Sequence, residues 1–228
     1  MKRYLIIIIL LIAIVLIVKM SEKEKIKGNC PQINIYANMT DYKLYVPFVL
    51  GWEGGVSNHV ADTGGLTNKG ITYGTYKSLC KQVYGCEPSS NHFYGLDSDS
   101  VGLMIRYFWN KSTGNNRIGS QKIAEAITSW AWGSGTYYGL KWFQEMLNKE
   151  YNAGLQVDAQ IGILTVNFIN GLDQDDLFRM CIKYRRDRFI AICKNNKSQY
   201  EFLVGWLNRL REFAERHGEL EYFNSINV

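Results

Sequence analysis

The chain has 228 residues, of which 46% are hydrophobic and 21% charged, a balance that can bury a core and excludes a largely disordered chain. Three prolines exclude a collagen-like or proline-rich linker protein, and a net charge of +5 favours an anionic partner without naming one. Aromatic residues make up 14%, a supply of Tyr and Trp that suits a sugar-binding surface as well as a core.

Lys2 and Arg3 precede an unbroken apolar run from Tyr4 to Val18, closed by Lys19. As a helix, Leu5 to Val18 spans about 21 Å against roughly 30 Å of hydrocarbon. It therefore fits the apolar core of a secretion signal as well as a full span, with snorkelling of Lys19 closing part of the gap. No small-x-small cleavage site follows, which favours an uncleaved or slowly released signal anchor. The run has no polar face, which argues against a core helix. Residues 1–20 are read as signal anchor or signal peptide, contacting the membrane. Residues 21–40, polar and holding Gly28, Asn29 and Pro31, read as a tether. The bulk of the chain is then expected outside the cytoplasm, in the cell envelope.

Asp41 or Thr40 can cap a helix carrying Tyr45, Phe48, Val49 and Trp52. The stretch from Gly54 to Gly74 breaks that pattern with Gly54, Gly55, Gly64, Gly65, Gly70 and Gly74, so turns and a short hairpin are predicted there. Asp97-Ser98-Asp99-Ser100 opens a helix through Val101, Met104, Ile105 and Phe108, and Ser120 opens another from Ile123 to Trp132, ended by Gly133 and Gly135. Tyr137 to Leu147 is a third. A turn-rich patch, Gly154 to Gly162, leads into Leu164 to Ile169. Two long helices finish, Asp175 to Cys193 and Ser198 to His217, with Asp173, Asp175 and Asp176 suiting the positive dipole end of the first. The fold class is mainly α with one small, irregular β lobe.

The five cysteines are Cys30, Cys80, Cys86, Cys181 and Cys193. In an exported domain Cys80 and Cys86 could bridge a short loop around Gly85. Cys181 and Cys193, on one helix, stand about 18 Å apart and read as small buried apolar residues. The spacings fit no zinc pattern, and no metal is expected. No phosphate loop or dinucleotide fingerprint occurs, so neither a nucleotide nor a nucleic acid is expected. No Ser-His-Asp arrangement stands out.

The stretch that carries chemistry is Gly51-Trp52-Glu53-Gly54-Gly55, followed by Asp62-Thr63-Gly64-Gly65-Leu66-Thr67-Asn68-Lys69-Gly70-Ile71-Thr72. Glu53 falls at the end of an apolar helix, where two glycines release the chain. A carboxyl there, facing a glycine-rich hairpin with a second carboxyl and a hydroxyl, predicts a cleft. Burial of Glu53 against Trp52 or nearby aromatics would keep it protonated, as a general acid requires, while Asp62 in a wetter loop stays ionised. Two carboxyls in unlike environments are the minimal equipment for glycoside hydrolysis, and Thr67 could hold the attacking water. The plain alternative is that Glu53 caps or pairs and that Asp62 and Thr67 bond their own loop.

The whole string resembles the signature of glycoside hydrolase family 108, the N-acetylmuramidases of bacteria and phages. The match falls on Glu53, Gly54, Gly55, Asp62, Gly64, Gly65, Thr67, Asn68, Gly70, Ile71 and Thr72. Tyr107-Phe108-Trp109-Asn110 resembles a further segment of the family. The layout is also similar to phage-type lysozymes, an analogy on which the roles of Asp62 and Thr67 rest. Gln144 to Leu147, Asp158 to Thr165, and Gly205-Trp206-Leu207-Asn208-Arg209 resemble the predicted peptidoglycan-binding module that accompanies the family. Two departures stand out: Trp130-Ala131-Trp132-Gly133 where relatives have Asn-x-Gly, and Asp158-Ala159 where they have Asp-Gly.

The resemblance implies a lysozyme-like catalytic region over 41–135 and a helical peptidoglycan-binding module over 136–228, packed on it. It implies cleavage of the β-1,4 bond between N-acetylmuramic acid and N-acetylglucosamine in peptidoglycan glycan strands, with Glu53 as proton donor and no cofactor. A lytic transglycosylase and a non-catalytic peptidoglycan-binding protein are the alternatives. Trp130, Trp132, Tyr137 and Tyr138 have the spacing of core aromatics but could stack on sugar rings. Tyr73, beside the Gly70 turn, is a candidate sugar contact, as are Trp132 and Tyr137. His59 reads as an ordinary loop histidine. The run Lys183 to Arg188 reads as a solvated helix face with local ion pairs.

Overall fold

The computed structural model describes residues 40–58 and 65–226. The signal anchor and the tether up to residue 39 therefore lie outside the described residues, as do His59 and Asp62. Among the described residues no helix is long and apolar enough to cross a membrane.

Helix α1, Tyr42–Trp52, starts where the Asp41 side chain accepts from the backbone N–H of Lys43, and it buries Tyr45 and Val49. It ends because Glu53 is extended, at φ −92 and ψ 123, although its N–H still reaches the Val49 carbonyl. The glycine-rich stretch forms a three-stranded antiparallel sheet in the order β1 (Val56–Ser57), β2 (Thr67–Asn68), β3 (Ile71–Thr72). Thr67 pairs with Thr72 and Asn68 with Ile71 across a two-residue turn. Its residues, Lys69 (φ 48) and Gly70 (φ 77), are both left-handed, the backbone that matches the twist of a tight hairpin. Buried Asn68 anchors the hairpin by donating through Nδ2 to the Phe93 carbonyl at 2.7 Å.

Helix α2, Tyr73–Tyr84, follows β3 directly, capped by the Thr72 side chain and closed by left-handed Gly85. Neither it nor the single-turn α3, Ser90–Tyr94, capped by Ser89, is announced by the sequence pattern. Only Tyr76 and Cys80 of α2 are buried, too sparse an apolar stripe to announce itself. Helix α4, Ser98–Tyr107, opens on the Asp97 cap as expected and buries Val101, Met104 and Ile105. It widens into a π turn over Phe108–Ser112, in which the Thr113 N–H reaches the Phe108 carbonyl.

Helices α5, Gln121–Ser134, and α6, Thr136–Tyr151, form a hairpin about extended, positive-φ Gly135. They touch at Gly139, where a Cβ would stand 2.4 Å from the Trp130 carbonyl oxygen, so only glycine permits this approach. The turn-rich patch is pinned by buried Gln144, which accepts from Ala159 N and donates to Asp158 and to the Gln160 carbonyl. Ala159 is left-handed, at φ 59, which is the reason glycine suits this position. Helices α7 (Ile163–Asn170), α8 (Gln174–Asn195), α9 (Tyr200–Arg216) and α10 (Leu220–Ile226) complete the chain. Asp173 caps α8, and Cys181 and Cys193 are both buried on it, as expected. One continuous core runs from Tyr45 of α1 to Phe223 of α10.

Candidate active site

Glu53 stands at the point where α1 stops and the glycines begin, with its side chain 13% exposed. Its Oε1 accepts from the indole Nε1 of Trp132 at 3.2 Å and from the guanidinium Nη1 of Arg209 at 2.9 Å. Against the same carboxyl packs the hairpin turn: a Cβ on Gly70 would lie 2.3 Å from Cδ and 2.4 Å from Oε2. Glycine at position 70 thus serves the turn and clears room for the carboxyl. Trp132 is held in turn by Phe108, edge-on at 5.5 Å, from the π turn, a distortion that often accompanies functional sites.

A cleft of about 220 Å³ is lined by two of the residues that contact this carboxyl, Gly70 and Trp132. Gly70, Ile71 and Thr72 of the hairpin line it, together with Phe108, Trp132 and Thr136. Gly70 and Trp132 therefore touch both the Glu53 carboxyl and the cleft.

The other described residues singled out in the sequence have partners of their own. Thr67, half-buried, donates its hydroxyl proton to the Gly65 carbonyl at 3.0 Å. Tyr73 opens α2, stacks on Tyr76 and meets Phe93 edge-on, with Lys77 above its ring. Tyr137 is 60% exposed, one residue beyond cleft-lining Thr136, and Tyr138 is exposed beside it, so neither belongs to the core. Trp130 is core, edge-on to Phe143. Of Trp52 and the nearby aromatics expected around Glu53, Trp132 donates to its carboxyl, while Trp52 turns its indole N–H to Glu212.

Arg209 is the residue that sequence reasoning missed. It lies in the Gly-Trp-Leu-Asn-Arg string, but nothing local ties it to Glu53. Helix geometry explains its reach. Arg209, Glu212 and Arg216 fall at i, i+3 and i+7 on one face of α9. They meet Glu53, Trp52 and Glu125 respectively. The face of α9 thus clamps the end of α1.

Glu125 on α5 is fully buried and accepts from Gln121, Arg216 and His217. Burial alone would raise its pKa, but hydrogen bonds from His217, Arg216 and Gln121 outweigh that and hold it below the usual carboxylate range. The Lys183–Arg188 run is not wholly a solvated face. Lys183 and Arg186 pair with Asp187, but Arg185 is buried and donates to Ser134. Burial, with Arg209 nearby, pushes the Arg185 guanidinium down to about 10.

Comparison with known proteins follows this architecture. Residues 46–135 match the family Glycosyl hydrolase 108, and residues 138–211 match the Predicted Peptidoglycan domain. The boundary falls at the α5–α6 hairpin. Among solved structures the chain is similar to that of Brucella abortus SagA, with a TM-score of 0.58 and 23% identity, covering 77% of this chain and 92% of that one. At this identity the likeness is one of fold. No curated protein matches the chain.

Proposed function

The chain belongs, over residues 46–135, to glycosyl hydrolase family 108 and carries a predicted peptidoglycan domain over residues 138–211, and from that footing we propose that this peptidoglycan hydrolase is an N-acetylmuramidase. It cleaves the β-1,4 bond between N-acetylmuramic acid and N-acetylglucosamine. Glu53 donates the proton to the glycosidic oxygen as the bond to the sugar breaks. The observation that carries this reading is the Glu53 carboxyl itself. It is fixed by Arg209, by Trp132 and by the bare backbone of Gly70, and the last two line the cleft.

Arg209 and Trp132 act as positioning residues. They hold one oxygen, Oε1, so that the carboxyl keeps one orientation toward a glycan strand. The oxocarbenium-like centre then needs a second carboxylate or a directed water, the roles of Asp62 and Thr67. The Thr67 hydroxyl has committed its proton to Gly65, and its oxygen lone pairs still accept from a water. Tyr137, exposed next to the cleft, supplies a face for a further sugar ring. The mild positive charge favours acidic muropeptides. The apolar run from Tyr4 to Val18 delivers the enzyme to the envelope and anchors it there.

Loss of turbidity of purified peptidoglycan, followed with the wild type and Glu53→Gln, tests the assignment. Clearing by the wild type and none by the variant, with sacculus binding retained in both, is expected. Equal clearing by the two would remove Glu53 from the mechanism. The mass of the products reports the reaction type, since a transglycosylase leaves an anhydro-sugar about 18 Da lighter than the hydrolysed one.

A further inference from the structure

Away from the cleft, the fold brings three side chains to one point. Cys80 is buried on α2, Cys86 is half-buried just beyond the left-handed Gly85 that ends it, and His92 is half-buried on α3. The two Sγ atoms are 3.5 Å apart, and His92 Nδ1 lies 3.9 Å from the first and 3.6 Å from the second. All three potential ligand atoms fall within 4.8 Å of one another.

These edges have the dimensions of a coordination face. With metal–sulfur and metal–nitrogen bonds of the lengths zinc adopts, tetrahedral angles separate two sulfurs by about 3.8 Å and sulfur from nitrogen by about 3.6 Å. A disulfide needs its sulfurs at about 2.0 Å. Two thiols in van der Waals contact account for the first edge. The imidazole turns Nδ1 toward both sulfurs, and the Tyr76 hydroxyl at 2.9 Å fixes that orientation.

We propose that Cys80, Cys86 and His92 form a binding site for a borderline-soft divalent cation, for which Zn²⁺ has the fitting chemistry. Two thiolates and the neutral imidazole Nδ1 are the ligands. Each thiol gives up its proton to solvent as the ion enters, and the two negative charges balance the ion's two positive ones. Tyr76 Oη accepts from Ser89 N and hydrogen-bonds Nδ1 at 2.9 Å; as the ion takes the Nδ1 lone pair, the hydroxyl proton turns to the Ser89 carbonyl, 3.1 Å away. With that hydroxyl held by the backbone, water takes the fourth position from the half-buried side of Cys86 and His92.

The ion would staple the end of α2 to α3. The residue after His92 is Phe93, whose carbonyl anchors Asn68 of the hairpin. The staple therefore supports the turn that sets Gly70 against Glu53, although binding at this site does not depend on what Glu53 does. Each ligand stands six positions after the one before it, a spacing that resembles no familiar zinc pattern. Convergence comes instead from the turn at Gly85 and the reversal into α3.

The test uses the full chain, reduced and stripped of metal by a chelator, titrated with Co²⁺ as a spectroscopic probe. One Co²⁺ per chain is expected, with a sulfur-to-cobalt charge-transfer band and tetrahedral visible absorption, both abolished by one equivalent of Zn²⁺. Cys86→Ser and His92→Ala, at half-buried positions, should lose the charge-transfer spectrum or its tetrahedral form. Cys181→Ser, on α8, should keep both. Zinc should raise the melting temperature of the wild type and of Cys181→Ser, but not of Cys86→Ser. No cobalt spectrum in the reduced protein, a spectrum untouched by Cys86→Ser, or a Cys80–Cys86 disulfide that forms in preference when Zn²⁺ is present would each overturn the proposal.

Discussion

Arg209 and Glu53 are 156 residues apart in the chain and 2.9 Å apart in the fold. The pair joins the end of α1, within the glycosyl hydrolase match, to α9, within the peptidoglycan-domain match. The second module thus contributes a charged group directly to the carboxyl of the first. A module that only tethered the enzyme to its polymer would not need this contact.

Removing that charge should cost catalysis more than folding. Arg209→Met is expected to lower the rate of wall clearing by about ten- to a hundredfold through loss of carboxyl alignment, with sacculus binding unchanged and kcat rather than KM carrying the loss. Arg209→Lys should recover part of the rate, because an ammonium supplies the charge without the guanidinium's planar fork. An unchanged kcat in the Met variant would limit Arg209 to a structural role.

Gly70 and Gly74 offer a matched pair. At Gly70 the backbone is at φ 77 and a Cβ would meet the Glu53 carboxyl at 2.3 Å, whereas at Gly74, inside α2, the nearest contact is the Thr72 hydroxyl at 4.0 Å. Gly70→Ala is expected to reduce both turnover and stability, the latter by about 1–3 kcal/mol. Gly74→Ala should be neutral or stabilising by up to about 1 kcal/mol, since it replaces a helical glycine. Thermal melts and clearing rates of the two variants check this directly.

Glu125 ties stability to pH. Its pKa is held down in the folded protein, so its contribution is complete above the ordinary carboxylate range and is lost as pH falls through the depressed folded value. Glu125→Gln is expected to destabilise the protein by about 3 kcal/mol at neutral pH, because it removes the buried negative charge and puts an NH2 donor where one of the oxygens accepting from Arg216 and His217 stood. The gap between wild type and variant should narrow as pH falls below about 4. Denaturant melts of both proteins across acid pH measure the convergence, and a constant gap would contradict the network.

Ala159 is a position where the protein carries local strain. Its φ of 59 costs an L-residue more than it costs glycine. Ala159→Gly is expected to raise stability by about 0.5 kcal/mol, the relief exceeding the entropy that glycine adds to the unfolded chain. A lower melting temperature in the variant would show that the entropy glycine adds to the unfolded chain exceeds the strain relieved.

Much of this architecture was legible in the sequence, because much of it is local. Asp97 caps α4 through the Ser100 N–H, Asp173 caps α8, and the glycine stretch becomes a hairpin, all within a few residues of the signals that foretell them. Backbone preference and capping act over that range, so Glu53's place at a helix end beside glycines followed from the chain alone. What surrounds its carboxyl did not. Trp132 is 79 residues away and Arg209 is 156, and an ion pair responds to distance in space, which only packing of α9 on α1 sets. The same holds for Cys80, Cys86 and His92. Their types and spacing stand in the sequence, but the turn at Gly85 and the docking of α3 decide that one nitrogen and two sulfurs face a common point.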